Sequence, residues 1–321
     1  MLAARMKQLP ITTLGIFGLL HSGAFAGSVA TDMAPTVASS GFERARRPIS
    51  NPTLFDLAVP TTNVHPIFMH QVLPNQINAG GGSIPFGGDV QLYALQFEYA
   101  LSDRLSIVAT KDGYVDMNFD NPAFSDSTGF ANLGGGLKYA LLLDPISRSA
   151  VSSSLTLEFP TGNSDVLQGE GKGLANIIVS GLKLVDEWQF TGGAGIQVPF
   201  SDEQATMGWV SAHASYEVSK WFIPLVEVNW FHVIDEGNGT GNFGGQLGGG
   251  IPGAVQFEGG DLFNLGATNA SDSPDFVSAA VGFRSRLTDA VTAGFAYEVP
   301  LTDEEDSLME ERFTLDLTWT L

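Results

Sequence analysis

Apolar and polar residues alternate with a period of two along most of this chain. The clearest case is the segment 311–321, whose apolar phase consists of Phe313, Leu315, Leu317, Trp319 and Leu321. Successive side chains of a β-strand point to opposite faces, so this pattern predicts a strand with one apolar and one polar face. The same alternation recurs from about residue 64 onward. The chain is therefore predicted to be mainly β-sheet.

Twelve segments carry the alternation. They lie near residues 64–73, 90–101, 104–111, 130–142, 150–159, 175–185, 188–198, 207–218, 221–233, 276–287, 290–299 and 311–321. Short polar turns follow the even-numbered segments, and long loops rich in Gly or Asp follow the odd-numbered ones. Bacterial outer-membrane barrels sort short periplasmic turns from long extracellular loops in this way. We predict an all-β fold over residues 64–321, a transmembrane antiparallel up-and-down β-barrel of about 12 strands and of the bacterial outer-membrane type.

The more apolar phase of each predicted strand is expected to face lipid. It carries no charged residue where the alternation is clearest, and its large aromatic residues fall at two levels. Amphipathic rings settle at the boundary between lipid and water, which produces two aromatic girdles on an outer-membrane barrel. We predict a girdle composed of Tyr99, Tyr139, Trp188, Tyr216, Trp221, Trp230, Tyr297 and Trp319.

The opposite phase is polar and is expected to line the lumen. The candidate lumen residues are Glu98, Asn132, Lys138, Glu158, Lys183, His213, Glu217, Glu227, Asn229, Arg284, Arg286, Glu298 and Asp316. Unpaired buried charges cost several kcal/mol each, so this face is either wet or cross-paired. Two interpretations remain open: a charge network that keeps a narrow barrel in shape, or side chains that contact a solute. Pairing of the eighth and ninth strands would place His213 opposite Glu227.

The N-terminus has the features of a secretory signal. Arg5 and Lys7 precede an apolar run over 11–20, and Ala24-Phe25-Ala26 supplies a small-x-small pattern, so cleavage near Ala26 is predicted. The apolar run is shorter than the roughly 20 residues that a membrane anchor needs. A signal of this kind predicts that the protein is exported, with the bacterial outer membrane as its destination. Residues 27–63 have no sustained period and a basic cluster at 44–47, and they form either a periplasmic extension or a short plug.

Composition excludes several classes of function. The formal net charge of −20 opposes binding to nucleic acid, and the absence of cysteine excludes disulfides and thiolate metal sites. No cofactor and no metal are predicted. The expected partners are outer-membrane lipids, the barrel assembly machinery and a small-molecule solute. The acidic, Gly-rich loop 234–276 is either a solvated loop or a surface lid that holds a divalent cation.

Two motifs in the central third of the chain resemble a known family. They are Gly-Phe-Ala-Asn-Leu-Gly-Gly-Gly-Leu-Lys-Tyr-Ala-Leu at 129–141 and Leu-Thr-Leu-Glu-Phe-Pro-Thr-Gly at 155–162. They resemble the outer-membrane β-barrel family named for the meta-pathway of phenol degradation. The chain departs from the usual pattern at Asn132, where Asp is typical, and at Leu321, where such barrels usually end in Phe. The resemblance implies a transporter-like barrel for hydrophobic or aromatic compounds.

The predicted function is a channel for passive movement of small molecules, with hydrophobic or aromatic compounds as the candidate solutes. Twelve strands enclose a lumen between the filled interior of about eight strands and the open channel of 16–18, so we expect a restricted conduit. A structural or adhesive surface barrel is the first alternative. An outer-membrane lipid hydrolase is the second, but His232 is the only outward strand histidine near a loop, and no Gly-x-Ser-x-Gly motif occurs. We therefore predict that the protein is not an enzyme.

Overall fold

The computed structural model describes residues 41–79, 82–238, 240, 260–267 and 274–321. The predicted signal peptide and most of the loop 234–276 lie outside these residues. Within the described ranges, no helix is both long enough and apolar enough to span a membrane.

The described part of the chain is built from sixteen strands. They are β1 (Asn63–Val72), β2 (Gln76–Ala79), β3 (Gly82–Pro85), β4 (Gly88–Ala100), β5 (Leu105–Lys111), β6 (Tyr114–Phe119), β7 (Ser127–Phe130), β8 (Leu133–Asp144), β9 (Ser149–Phe159), β10 (Leu174–Val185), β11 (Trp188–Pro199), β12 (Thr206–Tyr216), β13 (Ile223–Asp235), β14 (Asp275–Arg286), β15 (Val291–Pro300) and β16 (Glu311–Thr320). Strands β2 and β3 form a separate hairpin. The other fourteen form one sheet, in which β5 with β6, and β7 with β8, each make one interrupted wall strand.

The sheet closes on itself as a twelve-stranded barrel. Every neighbouring pair is antiparallel, and β1 pairs with β16 on one side and with β4 on the other. Val64 lies opposite Trp319 in one ladder, and Phe68 lies opposite Tyr93 in the other. Closure leaves no open sheet edge. Backbone N–H and C=O groups at such an edge would find no hydrogen-bond partner in lipid. The predicted fold, strand count and separation of short turns from long loops are confirmed.

One predicted loop is partly wrong. Asp112 and Gly113 interrupt the alternation after residue 111, yet the chain continues as β6 and returns as β7. Gly113 has φ +127°, and Asp112 Oδ1 accepts a hydrogen bond from Leu95 N at 2.9 Å. The side chain thus replaces a ladder bond at a β-bulge. The connection is consequently only 120–126 and not the predicted 111–129.

The outer face of the barrel carries the large apolar side chains. Seven of the eight predicted girdle residues are exposed, and Tyr297 is half-buried. Trp188 and Tyr216 pack with ring centroids 4.9 Å apart. The Tyr297 hydroxyl donates to Glu311 Oε2 at 2.6 Å, so its polar end is satisfied.

Candidate functional site

Residues 41–62, here called the lumenal segment, lie inside the barrel. Ile49, Leu54 and Phe55 are each 1% exposed. The segment forms neither a helix nor a strand. It turns at Asn51, which has φ 55° and whose carbonyl accepts from Phe55 N at 2.9 Å. Asn tolerates this left-handed conformation better than most residues.

Glu227 on β13 is the most heavily used anchor of the lumenal segment. Its carboxylate accepts from Ile49 N at 3.0 Å, from Ser50 N at 2.6 Å and from the Ser50 hydroxyl. His213 lies opposite Glu227 in the ladder, as the strand pairing predicts, with His213 Nδ1 2.7 Å from Glu227 Oε1. A carboxylate that receives backbone N–H groups is a strong, charge-assisted acceptor. This side chain therefore binds peptide backbone, which the sequence pattern did not indicate.

Other inward side chains also hold the backbone of the segment. Gln189 on β11 bonds both backbone groups of Arg46, at 2.7 Å to the N–H and 2.6 Å to the carbonyl. Arg284 on β14 donates to the carbonyls of Arg47 and Pro48 at 2.6 and 3.3 Å. Buried backbone groups need partners. The wall supplies them through side chains, so the segment enters the barrel without joining its sheet.

The centre of the lumen contains paired charges. Lys138, fully buried, lies 2.7 Å from Asp56 and 2.8 Å from Glu98. Arg47 contacts the same two carboxylates, so two cations face two anions. Arg284 and His65 share Asp316, at 2.6 and 2.7 Å. Several of these pairs join the lumenal segment to the wall.

A second group of pairs lies toward the long loops. Arg312 Nη1 is 2.9 Å from Asp261 and 3.5 Å from Glu298, and Asn229 donates to Glu298 at 3.0 Å. Glu158 accepts from Lys111 at 2.7 Å and from Asn132 at 2.8 Å. An apolar cluster that includes Phe263 packs beside them. Both halves of the lumen are thus occupied.

The structure corrects one candidate lumen residue. Lys183 is exposed on the outer face of β10, in phase with Ile177 and Val179. It lies at the short-turn end, where its ammonium donates to Ser149 Oγ at 3.0 Å. A long cationic side chain can extend there to the polar boundary. The other twelve candidates are buried or half-buried; Glu217 and Arg286 are the half-buried ones.

Several lumen residues are not among the predicted candidates, and three of them carry central ion pairs. Arg312 and His65 lie in the inward phases of β16 and β1, and both are nearly fully buried. Their phase alone could have identified them. Asp56 lies outside any alternating segment, so only its contact with Lys138 reveals its place.

The short-turn end of the lumen contains a cavity of about 570 Å³ between the lumenal segment and β14–β16. Its lining includes Arg44, Arg46 and Arg286. Burial lowers the pKa of the Arg46 guanidinium to about 10; Glu217 opposes this shift, and Arg44 and Arg286 add to it. Arg46 still carries its charge at neutral pH.

Gly193 on β11 provides a test of how closely the lumenal segment fits. A Cβ atom there would lie 2.8 Å from Phe55 Cδ2. Gly193→Val should displace Phe55 and destabilise the seated segment by about 1–3 kcal/mol, since overpacking a filled site has that cost. The increase in proteolysis of residues 41–62 measures the effect. Gly192→Val is the matched control, because that position faces outward and its nearest atom is 3.8 Å away. Equal proteolysis of the two variants would contradict the prediction.

Comparison with known proteins supports the fold. No family model and no curated protein match the chain. Among solved structures, it resembles the COG4313 outer membrane channel from Pseudomonas putida F1, with 16% identity over 83% of this chain and 97% of that chain and a TM-score of 0.59. It is also similar to the NanC porin (8% identity, 81% and 100% coverage, TM-score 0.46) and to the β domain of the Bordetella autotransporter BrkA (10%, 81% and 100%, TM-score 0.47). The last two TM-scores lie below 0.5, so the fold assignment rests on the first structure. The chain thus has the fold of a twelve-stranded outer-membrane β-barrel.

Proposed function

We propose that this protein is a bacterial outer-membrane channel for passive movement of small molecules, and that the lumenal segment is a plug that closes it. The observation that carries the proposal is the way the segment is held. Its contacts with the wall are hydrogen bonds, ion pairs and side-chain packing, for example through Glu227, Gln189 and Lys138. No wall strand falls within residues 41–62, since β1 begins at Asn63. The plug can therefore leave its seat without breaking the barrel.

The lining of the lumen also favours a water-filled pathway once the plug moves. Buried polar side chains from wall strands contact the plug and several carry charge, while an apolar cluster that includes Trp209 and Phe231 packs around Leu54. Paired charges are stable in the closed state, and water can hydrate them when the segment is displaced. A barrel with a purely mechanical role has no need for a separable lumen filling. The similarity to a solved outer membrane channel supports the same proposal.

The cargo is proposed to be small and, following the resemblance of 129–141 and 155–162 to the phenol meta-pathway family, hydrophobic or aromatic. The signal peptide over 1–26 and export to the outer membrane belong to the same proposal. Outer-membrane lipids, the assembly machinery and the solute would be the partners. An adhesive or structural barrel remains the competing proposal, because the acidic loops also suit it.

No enzymatic function is proposed. His232 Nδ1 lies 2.9 Å from Asp275 Oδ1 at the loop end of the outer face. Within the described ranges, no serine hydroxyl is hydrogen-bonded to that ring. A serine hydrolase needs a nucleophile within hydrogen-bond reach of its base. This pair therefore lacks the group that would attack a lipid ester.

Permeation by the full chain tests the proposal. Refolded protein in planar bilayers should show conductance steps separated by long closed periods, because the seated plug fills one half of the lumen and paired charges with an apolar cluster fill the other. Liposomes that contain the protein should swell in arabinose, and empty liposomes should not. If the membranes stay tight to ions and small solutes at all voltages, with and without residues 41–62, the structural or adhesive function replaces this one.

A further inference from the structure

The cavity at the short-turn end combines apolar walls with an arginine cluster. Phe42, Leu57, Val59 and Ile223 are buried residues that contribute to its lining. Its rim includes Asp289 and Ala290, which are exposed in the turn between β14 and β15. Solutes on the periplasmic side can therefore reach it. A volume of about 570 Å³ accommodates a small molecule.

Three guanidinium groups in this cavity share one carboxylate. Glu217 Oε2 lies 2.9 Å from Arg44 Nη2, 3.2 Å from Arg46 Nη1 and 3.1 Å from Arg286 Nη2. Arg44 has one further carboxylate, Glu187, at 3.3 Å. Three cations therefore face two anions, and Glu187 is half-buried at the edge of the cluster.

The remaining charges around the cavity do not supply the missing anion. Arg47 and Arg284 also line it, but they are paired with Asp56, Glu98 and Asp316. Glu43 and Asp289 lie on the lining as well, and both are exposed toward solvent. The cationic surplus is thus confined to Arg44, Arg46 and Arg286.

We propose that this cavity binds a small organic carboxylate that carries an apolar body. A carboxylate accepts paired N–H groups from guanidinium in a planar, bidentate geometry, which Lys would not provide. The apolar body would pack against Phe42 and Leu57, away from water. The incoming carboxylate competes with Glu217 for the same three guanidinium groups.

This competition would couple ligand binding to the plug. Arg44 and Arg46 belong to the lumenal segment, and Glu217 and Arg286 belong to the wall. A ligand that replaces Glu217 weakens the ion pairs between segment and wall at the short-turn end. The effect on gating rests on the proposed channel function, whereas binding itself does not.

Calorimetric titration of the full chain in detergent tests the binding. Benzoate is the probe, and benzyl alcohol is its neutral counterpart of similar size. Benzoate should bind saturably and at least about tenfold more tightly than benzyl alcohol, because only the carboxylate can accept the charge-assisted bonds. Acetate should bind more weakly than benzoate because it lacks the apolar body.

Two substitutions and one control locate the site. Arg286→Gln should weaken benzoate binding about tenfold, and Glu217→Gln should strengthen it because the competing carboxylate is removed. Arg104→Gln is the control, since Arg104 lies in another short turn and donates to the Ala140 carbonyl at 3.0 Å. Retained heat-modifiable migration shows that each variant is folded.

The outcomes separate this proposal from the channel proposal. Equal binding of benzoate and benzyl alcohol, or unchanged benzoate binding in Arg286→Gln, would overturn the carboxylate site. If phosphate or acetate bound as tightly as benzoate, the proposed packing of the ligand's apolar body against the cavity wall would be overturned. Benzoate binding in a protein that never conducts would leave this site in place and remove the channel.

Discussion

Deletion of residues 41–62 should raise the conductance of the protein, because it empties the half of the lumen that this segment fills, while Asp261 and Phe263 still occupy the half toward the long loops. The twelve wall strands start at Asn63 and retain all their ladders, so the barrel itself should still form. Twelve strands enclose a wider lumen than the roughly eight whose inward side chains fill the interior, so we expect conductance to rise at least about fivefold. Single-channel recording in planar bilayers measures the change, and heat-modifiable migration verifies the fold.

A tethered full-length protein is the counterpart of the deletion. Asn229 Nδ2 donates to Ser50 Oγ at 3.0 Å, and the chain contains no cysteine. Ser50→Cys combined with Asn229→Cys, bridged by a short bifunctional thiol reagent, should therefore hold the segment in place. The tethered channel should stay closed, and cleavage of the reagent should restore gating. A deletion variant that folds and conducts no better than the full chain would refute the plug.

Glu227→Ala should release the plug without removing any of it. The substitution leaves Ile49 N, Ser50 N and His213 without their shared acceptor inside the barrel. Breaking a buried, charge-assisted site costs about 3 kcal/mol or more, which corresponds to a roughly hundredfold increase in the displaced population. Open probability in bilayers and proteolysis of residues 41–62 both measure this population.

Glu158→Ala is the matched control for that variant. Glu158 is also a buried carboxylate with a cationic partner, Lys111 at 2.7 Å, but its hydrogen bonds go to Lys111 and Asn132 and not to the lumenal segment. It should lower the thermal stability of the barrel to a similar extent while leaving the open probability unchanged. Equal open probabilities in the two variants would mean that Glu227 stabilises the wall and does not anchor the plug.

The deletion of residues 41–62 and the Glu227→Ala substitution distinguish a removable plug from a segment that the barrel needs in order to fold. If the lumenal segment were required for folding, its deletion would abolish heat-modifiable migration. Its contacts indicate otherwise, because the wall ladders are complete without it and the segment bonds mainly to side chains. The hydrophobic contribution of Ile49, Leu54 and Phe55 would then stabilise the closed state and not the barrel.

The errors of sequence interpretation have identifiable causes. The charge of Lys183 favours the lumen, although its phase with Ile177 and Val179 places it outside. The strand after residue 111 is hidden in the sequence because a bulge at Asp112 and Gly113 shifts the alternation by one position. In both cases the local period carried the correct information, and a single residue type or a single extra residue obscured it.

The strands of the barrel, its closure, its lipid-facing side and the sorting of its loops can all be predicted from the residue pattern. These features follow from a period of two and from turn chemistry, which are local properties of the chain. The sequence also determined the pairing of His213 with Glu227, because strand register follows once two strands share a short turn. The filling of the lumen, in contrast, depends on long-range contacts. Residues 41–62 have no period, and contacts such as Ser50 with Glu227 join positions 177 residues apart, so no local pattern could predict their seat. The arginine cluster around Glu217 likewise exists only where the segment meets the wall.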